Sequence, residues 1–278
     1  MTAPTTLDAL IDGYDALLLD AYGVLVTASG ALPGAAELIH RLERAAFAYY
    51  VVTNDASRLP GAIADRLSGL GLPVTEDRII SSGSLLTPYF RDNALSGAAT
   101  AVLGPEDSRA YVREAGGSIV GPDEPFDVLA VCDEHGIPLL DAANQALSSA
   151  YAQLDRGVTP RLVLPNPDLI APHGDGHFGF TAGALAMLIE QGLALRYPER
   201  TELTFARLGK PEAPLFEEGI RRAGTRNVVM IGDQLATDIA GANAAGIDSA
   251  LIAGGVAASE LPATGPQPSW LLPPLSEA

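Results

Sequence analysis

Along the chain, short apolar runs alternate with longer stretches in which apolar positions return every three or four residues. The runs predict strands at 16–20 (ALLLD), 48–53 (AYYVVT), 101–104, 128–132, 161–164, 228–233, 250–254 and 269–272. The periodic stretches predict helices near 34–46, 57–69, 141–155, 181–194, 212–223 and 236–245. Such alternation is the pattern of an α/β protein with mainly parallel sheets.

Three of these strands end on polar residues: Asp20, Thr53 with Asn54 behind it, and Asp233. A carboxylate at the end of an apolar strand is costly unless something engages it. In open parallel sheets ligands gather at the carboxyl ends of the strands, so one pocket could collect all three. Any one of them could instead cap the following helix, as the segment TNDAS at 53–57 would; three strands ending this way favour a site. The interval from Thr53 to Lys210 is far longer than one strand–helix unit, whereas Lys210 to Asp233 is about one helix plus one strand. An insertion is therefore expected: a core of residues 1–83 plus 199–278, interrupted by an α/β cap over 84–198.

Composition narrows the class. With 278 residues, 47% of them hydrophobic and 18% charged, the chain buries a large core and is not disordered. The net charge of −17 is spread along the chain with no basic stripe, which argues against a nucleic-acid partner. No run is long and apolar enough to span a membrane, and the N-terminal segment lacks a leader pattern. Cys132 is the only cysteine, so no internal disulfide can form. These features predict a cytoplasmic protein with no membrane partner; a homo-oligomer is left open. All but one of the 17 basic residues are arginine, and the exception is Lys210 in RLGKPEAP. Either composition left one lysine there, or a site needs a compact ammonium that a guanidinium cannot replace.

Four segments carry the candidate chemistry: DAYGVLV at 20–26, VVTNDASR at 51–58, LGKP at 208–211 and IGDQLATDIAGANAAG at 231–246. Their order and their positions at strand ends resemble the haloacid dehalogenase superfamily of aspartate-nucleophile hydrolases. More narrowly, they resemble its class IIA phosphatases, the NagD-like and p-nitrophenyl-phosphatase-like group with an α/β cap between the second and third motifs. NPD at 166–168, TAGALAMLIE at 181–190 and PSWLLPPLSE at 268–277 extend the likeness over nearly the whole chain. The resemblance implies a Rossmann-like, doubly wound parallel-sheet core with an inserted cap. It also implies a phosphohydrolase acting on a small phosphorylated metabolite through an aspartyl-phosphate intermediate.

Carried over residue by residue, the resemblance makes Asp20 the nucleophile. Thr53 and Lys210 become the groups that hold and neutralise the phosphoryl oxygens. Mg²⁺ would be held by Asp20, the backbone carbonyl of Tyr22 and Asp233, a hard-oxygen set. Asp238 would join that metal group by orienting a bound water or Lys210, although an acid near a helix start is also favoured by the macrodipole alone. Asn54, Asn166 and Asp168 are the candidate substrate contacts. His173, Asp175 and His177 in PHGDGH read more readily as a polar loop than as a second metal site. CDEH at 132–135 reads as a strand end rather than a Cys/His nucleophile pair.

Tyr22 departs from the phosphatase pattern, which has a second aspartate there as general acid and base. A phenol keeps its proton at neutral pH and makes a poor base. DAYG instead resembles the superfamily's 2-haloacid dehalogenases, whose leaving halide needs no proton. Those enzymes lack the GDQLATD carboxylate pair, which this chain retains at Asp233 and Asp238. A phosphohydrolase is therefore the first reading. A dehalogenase and a catalytically impaired binder of phosphorylated ligands are the alternatives. Asp55 is a conceivable substitute base. Dinucleotide-binding, P-loop and serine-hydrolase signatures are absent from the sequence.

Overall fold

The computed structural model describes residues 2–174, 177–253 and 264–278. The first part of the chain forms β1 (Ala3–Pro4), α1 (Leu7–Gly13), β2 (Ala16–Asp20), β3 (Val26–Thr27), β4 (Gly30–Ala31), α2 (Ala35–Arg44), β5 (Ala48–Thr53), α3 (Pro60–Gly69) and β6 (Ile79–Ser81). Next come α4 (Leu86–Asp92), β7 (Ala99–Leu103), α5 (Glu106–Glu114), β8 (Ser118–Val120), β9 (Val128–Val131), α6 (Leu139–Leu154), β10 (Arg161–Leu164), β11 (Ile170–Gly174), β12 (His177–Phe180) and α7 (Ala182–Arg196). The chain continues with β13 (Ala206–Arg207), α8 (Ala213–Ala223), β14 (Val228–Gly232), α9 (Ala240–Ala245), β15 (Asp248–Ile252) and β16 (Trp270–Leu272).

Two compact units result. One comprises Met1–Thr53, Pro60–Ile80 and Lys210–Ala278, the other Asn54–Leu59 and Ser81–Gly209. The first carries a seven-stranded sheet in the order β1-β16-β15-β14-β2-β5-β6, parallel at every pairing from β1 across to β5. The chain winds outward from β2 through β5 to β6, then returns to the other side of β2 with β14 and continues to β15 and β16. Its direction of winding thus reverses between β2 and β14, the place where a doubly wound sheet opens a crevice at its strand ends. Leu19 lies beside Ile231 and Asp20 beside Val52, so the last residues of β2, β14 and β5 arrive at one level.

Period-2 alternation builds the core of this unit. Leu17 and Leu19 of β2, Val229 and Ile231 of β14, Tyr49 and Val51 of β5, and Ala250 and Ile252 of β15 share one buried cluster with Leu38, Ile39 and Leu42 of α2. Alternate residues of a strand face the same side, which places these side chains beneath one helical layer. The second unit has its own parallel sheet, β13-β10-β9-β7-β8. Its core joins Leu129, Val131, Leu162 and Leu164 to Ala146, Ala150, Leu185 and Ile189 of α6 and α7.

Every strand expected from the apolar runs is present, the 250–254 run as β15, with Gly254 outside the described residues. The sequence pattern did not reveal α1, α4 or α5, nor the strands β1, β3, β4, β6, β8, β11, β12 and β13. β1 and β13 have two residues each, too few to show alternation. α5 buries only Ser108, Tyr111 and Val112, so its periodic signal is weak. The expected 236–245 helix is split into a π-helical turn at Leu235–Ile239 followed by α9.

Candidate active site

Asp20 ends β2 with only 5% of its surface exposed. Its Oδ1 accepts a hydrogen bond from the Ala21 backbone N–H at 2.8 Å and from Lys210 Nζ at 2.6 Å. Lys210 is equally buried and donates a second bond, 2.7 Å long, to Oδ1 of Asp238. The other oxygen of Asp238 accepts the backbone N–H groups of Asp233 and Gln234 at 3.2 and 3.1 Å. One fully buried carboxylate therefore shapes the loop after β14 and aims the ammonium at Asp20. Asp233 is also fully buried, and Asp20, Asp233 and Asp238 each offer an oxygen within 4.8 Å of the others.

Gly23 is required beside them. Its φ of +93° lies where side chains are disfavoured, and a Cβ added there would overlap the Asp233 carboxylate. From sequence, Gly23 reads as the residue that lets the chain turn after Asp20 and Tyr22; its closeness to Asp233 is set by the fold. Gly232 does similar work, since a Cβ there would overlap Asp238.

The electrostatics follow from the count of charges. Burial pushes the Asp20 carboxyl well above its ordinary range; Lys210 opposes this, while Asp238 and Asp233 push further upward. Burial alone would lower the Lys210 pKa, but Asp20 and Asp238 outweigh it and hold the ammonium charged. Three buried carboxylates thus share one cation, an excess of negative charge that a divalent ion would offset. A hard, all-oxygen set with that deficit fits Mg²⁺.

Tyr22 is half-buried, and its phenol oxygen accepts the Ala28 backbone N–H at 2.9 Å. Tyr22 also bridges to Val26, and the Gly23 N–H bonds the Val26 carbonyl at 2.8 Å. Its ring thereby pins the small β3–β4 hairpin. Thr53 is the last residue of β5, the strand beside β2.

The remaining candidates lie in the second unit. Asn54 donates from Nδ2 to Oδ1 of Asp168 at 2.9 Å, and Asn166 Oδ1 accepts the Asp168 N–H at 3.1 Å. The NPD corner is fastened to the start of α7, where the Asp168 carbonyl accepts from the Thr181 hydroxyl and the Gly183 N–H. Asn54, Asn166 and Asp168 thus form one polar group. Asp55 bonds within its own loop: its Oδ1 accepts from the Ser57 N–H and hydroxyl, both at 2.7 Å, and its Oδ2 pairs with Arg58 at 3.1 Å. Those bonds make it a turn residue. Burial pushes the Cys132 thiol up to about 12, which leaves no thiolate for a Cys/His pair. His135 instead bonds Asp133 at 2.7 Å. Asp175 and the side chain of His173 lie outside the described residues.

Comparison with known proteins shows the family. Residues 17–118 match the haloacid dehalogenase-like hydrolase family and residues 207–278 match a HAD-hydrolase-like family. Glycerol-3-phosphate phosphatase of Gallus gallus is 30% identical over 92% of this chain and 84% of its own length. The structure of NagD from Escherichia coli K-12 superposes with a TM-score of 0.76 at 25% identity, covering 95% of this chain and 98% of its own. The structure of a possible sugar phosphatase from Cytophaga hutchinsonii superposes with a TM-score of 0.84 at 28% identity, covering 98% of both chains. The chain belongs to the haloacid dehalogenase-like hydrolases, as a phosphatase of the class IIA group that contains NagD.

Proposed function

We propose that the protein is a Mg²⁺-dependent phosphohydrolase that removes the phosphoryl group of a small metabolite by way of a phosphoaspartate on Asp20. The observation that carries this reading is the buried chain of Asp20, Lys210 and Asp238, with bonds of 2.6 and 2.7 Å, beside the carboxylate of Asp233. In the first step an Asp20 oxygen forms a bond to phosphorus while the ester oxygen leaves with the bonding pair. In the second, water attacks phosphorus, the bond to Asp20 breaks and inorganic phosphate departs. Lys210 holds charge on the phosphoryl oxygens beside Asp20, and Thr53 donates its hydroxyl to them. Mg²⁺, when held by Asp20, Asp233 and the Tyr22 carbonyl, supplies charge neutralisation at the phosphoryl group. Asp238 positions Lys210 and the loop that carries Asp233. The second unit, Asn54–Leu59 with Ser81–Gly209, serves as the cap that selects substrate, with Asn54, Asn166 and Asp168 as its polar contacts. Chicken glycerol-3-phosphate phosphatase and the Cytophaga structure, by their names, support glycerol or sugar phosphates as the substrate class.

The test is phosphate release from a panel of phosphate esters with Mg²⁺ and with excess chelator, run beside 2-haloacids. Activity is expected to require the cation. Mg²⁺ at about a hundredfold over its Kd is expected to add ~2.7 kcal/mol to the stability of the folded protein, read as a rise of several degrees in Tm. Full activity in chelator without a melting shift removes the metal from the proposal, and halide release by itself favours the dehalogenase reading.

Lys210→Arg tests the choice of the lone lysine. A planar, bulkier guanidinium cannot take the place of an ammonium bonded at 2.6 and 2.7 Å to two buried carboxylates. The expected loss in kcat/KM is at least about tenfold, or ~1.4 kcal/mol of transition-state stabilisation. Near wild-type kinetics would make the solitary lysine an accident of composition.

A further inference from the structure

We infer that the second unit carries a binding site for a free α-amino acid, held as the zwitterion between α6 and the loop that joins β8 to β9. The cavity there has a volume of about 460 Å³, within the range of small-ligand sites. Gln145, Ser149 and Ala152 of α6, with Arg156 in the turn that ends it, are spaced three and four apart and form one wall. Asp123 and Pro125 form the other. The Ser149 hydroxyl donates to the Glu124 carbonyl at 2.6 Å and fastens the two walls together. The loop also closes on itself, since the Gly121 N–H donates to Glu124 Oε2 at 2.6 Å and the Glu124 N–H to the Gly121 carbonyl at 3.2 Å. Asp123 therefore stands on a fixed turn.

An arginine beyond a helix C-terminus is commonplace by itself, and exposed charges are ordinarily just solvated. Gln153 is what marks a site. It lines the same cavity with only 6% of its surface exposed, and its Nε2 has no hydrogen-bond partner among the described residues, whereas buried amide donors are nearly always paired. A turn about the last side-chain torsion, which has two broad wells for an amide, brings that donor to a ligand oxygen in the cavity. Charge then selects the occupant. Asp123 and Arg156 are the only charged residues of the lining, and neither has an ion pair among the described residues. A simple anion would face Asp123 and a simple cation Arg156, while a neutral sugar would leave both charges unmatched. A zwitterion satisfies both: its carboxylate takes the Arg156 fork together with the Gln153 donor, and its ammonium takes Asp123. Asn144 and Gln145 complete the polar lining.

Isothermal titration calorimetry of the full chain with each standard α-amino acid tests the inference. At least one is expected to bind, and Arg156→Gln is expected to weaken it at least about tenfold, the loss of a charge-assisted pair. Gln153→Leu should weaken the same ligand; Arg156→Gln, a change at an exposed position, carries the test if circular dichroism shows that Gln153→Leu has not folded. Asp123→Asn should lower affinity for the amino acid but not for its des-amino analogue, which lacks the ammonium. No binding of any amino acid overturns the inference, as does binding that Arg156→Gln leaves intact. Equal affinity of wild type for the amino acid and its des-amino analogue would overturn the zwitterion and the part given to Asp123.

Discussion

Asp20→Asn is expected to lower phosphate release by at least about 10⁴-fold, because an amide oxygen is a very poor nucleophile toward phosphorus. The variant should still fold. Asn has the shape of Asp, and the change removes one of three crowded carboxylates while Lys210 keeps its 2.7 Å bond to Asp238. Two measurements separate lost chemistry from lost metal. Acid-quenched wild type incubated with an activated phosphate ester should carry a phosphoryl group on the peptide containing Asp20, and the variant should not. The Mg²⁺-dependent rise in Tm should persist in the variant in reduced form, because Asp233 remains. Turnover near wild type in Asp20→Asn would remove the nucleophile assignment whatever the metal does.

Tyr22→Asp is expected to raise turnover of alkyl phosphates, such as sugar and glycerol phosphates, by about a hundredfold to ten-thousandfold, the usual contribution of a positioned general acid–base. The wild-type phenol oxygen is engaged by the Ala28 N–H at 2.9 Å, an arrangement suited to pinning the β3–β4 hairpin rather than to moving protons. Wild type should therefore prefer acyl and aryl phosphates, whose leaving groups depart without a proton. Its phosphoaspartate should also outlast that of the variant, for want of a carboxylate to activate water. Rates for esters of graded leaving-group pKa should fall steeply in wild type and more gently in Tyr22→Asp. Tyr22→Phe gives the control: it removes the bond to Ala28 and adds no carboxylate, so the slope should stay steep. Equal slopes in wild type and Tyr22→Asp would show that another group already supplies the proton.

Much of the fold was legible because each element announces itself locally. The run ALLLD is apolar at four of five positions, and such runs alternating with amphipathic helices have few ways to pack other than a parallel sheet. The elements that escaped notice are those whose stability is not local. β1, with two residues, exists because β16 offers it a parallel edge, and α5 buries little of its own surface.

The candidate site divides along the same line. Sequence alone determined which residue types stand at the strand ends and in what order, namely Asp20, Thr53, Lys210 and Asp233 with Asp238, because motif chemistry is written in residue identity and spacing. Only the tertiary structure decided what each side chain touches. It turned Asp55 into its own loop, joined Asn54 to Asp168 across 114 positions of sequence, and gave the Tyr22 hydroxyl to Ala28. It also made Gly23 indispensable by pressing its backbone against Asp233. Contacts of that kind depend on chain direction and on distances of a few ångströms between segments far apart in sequence, and neither composition nor periodicity encodes them.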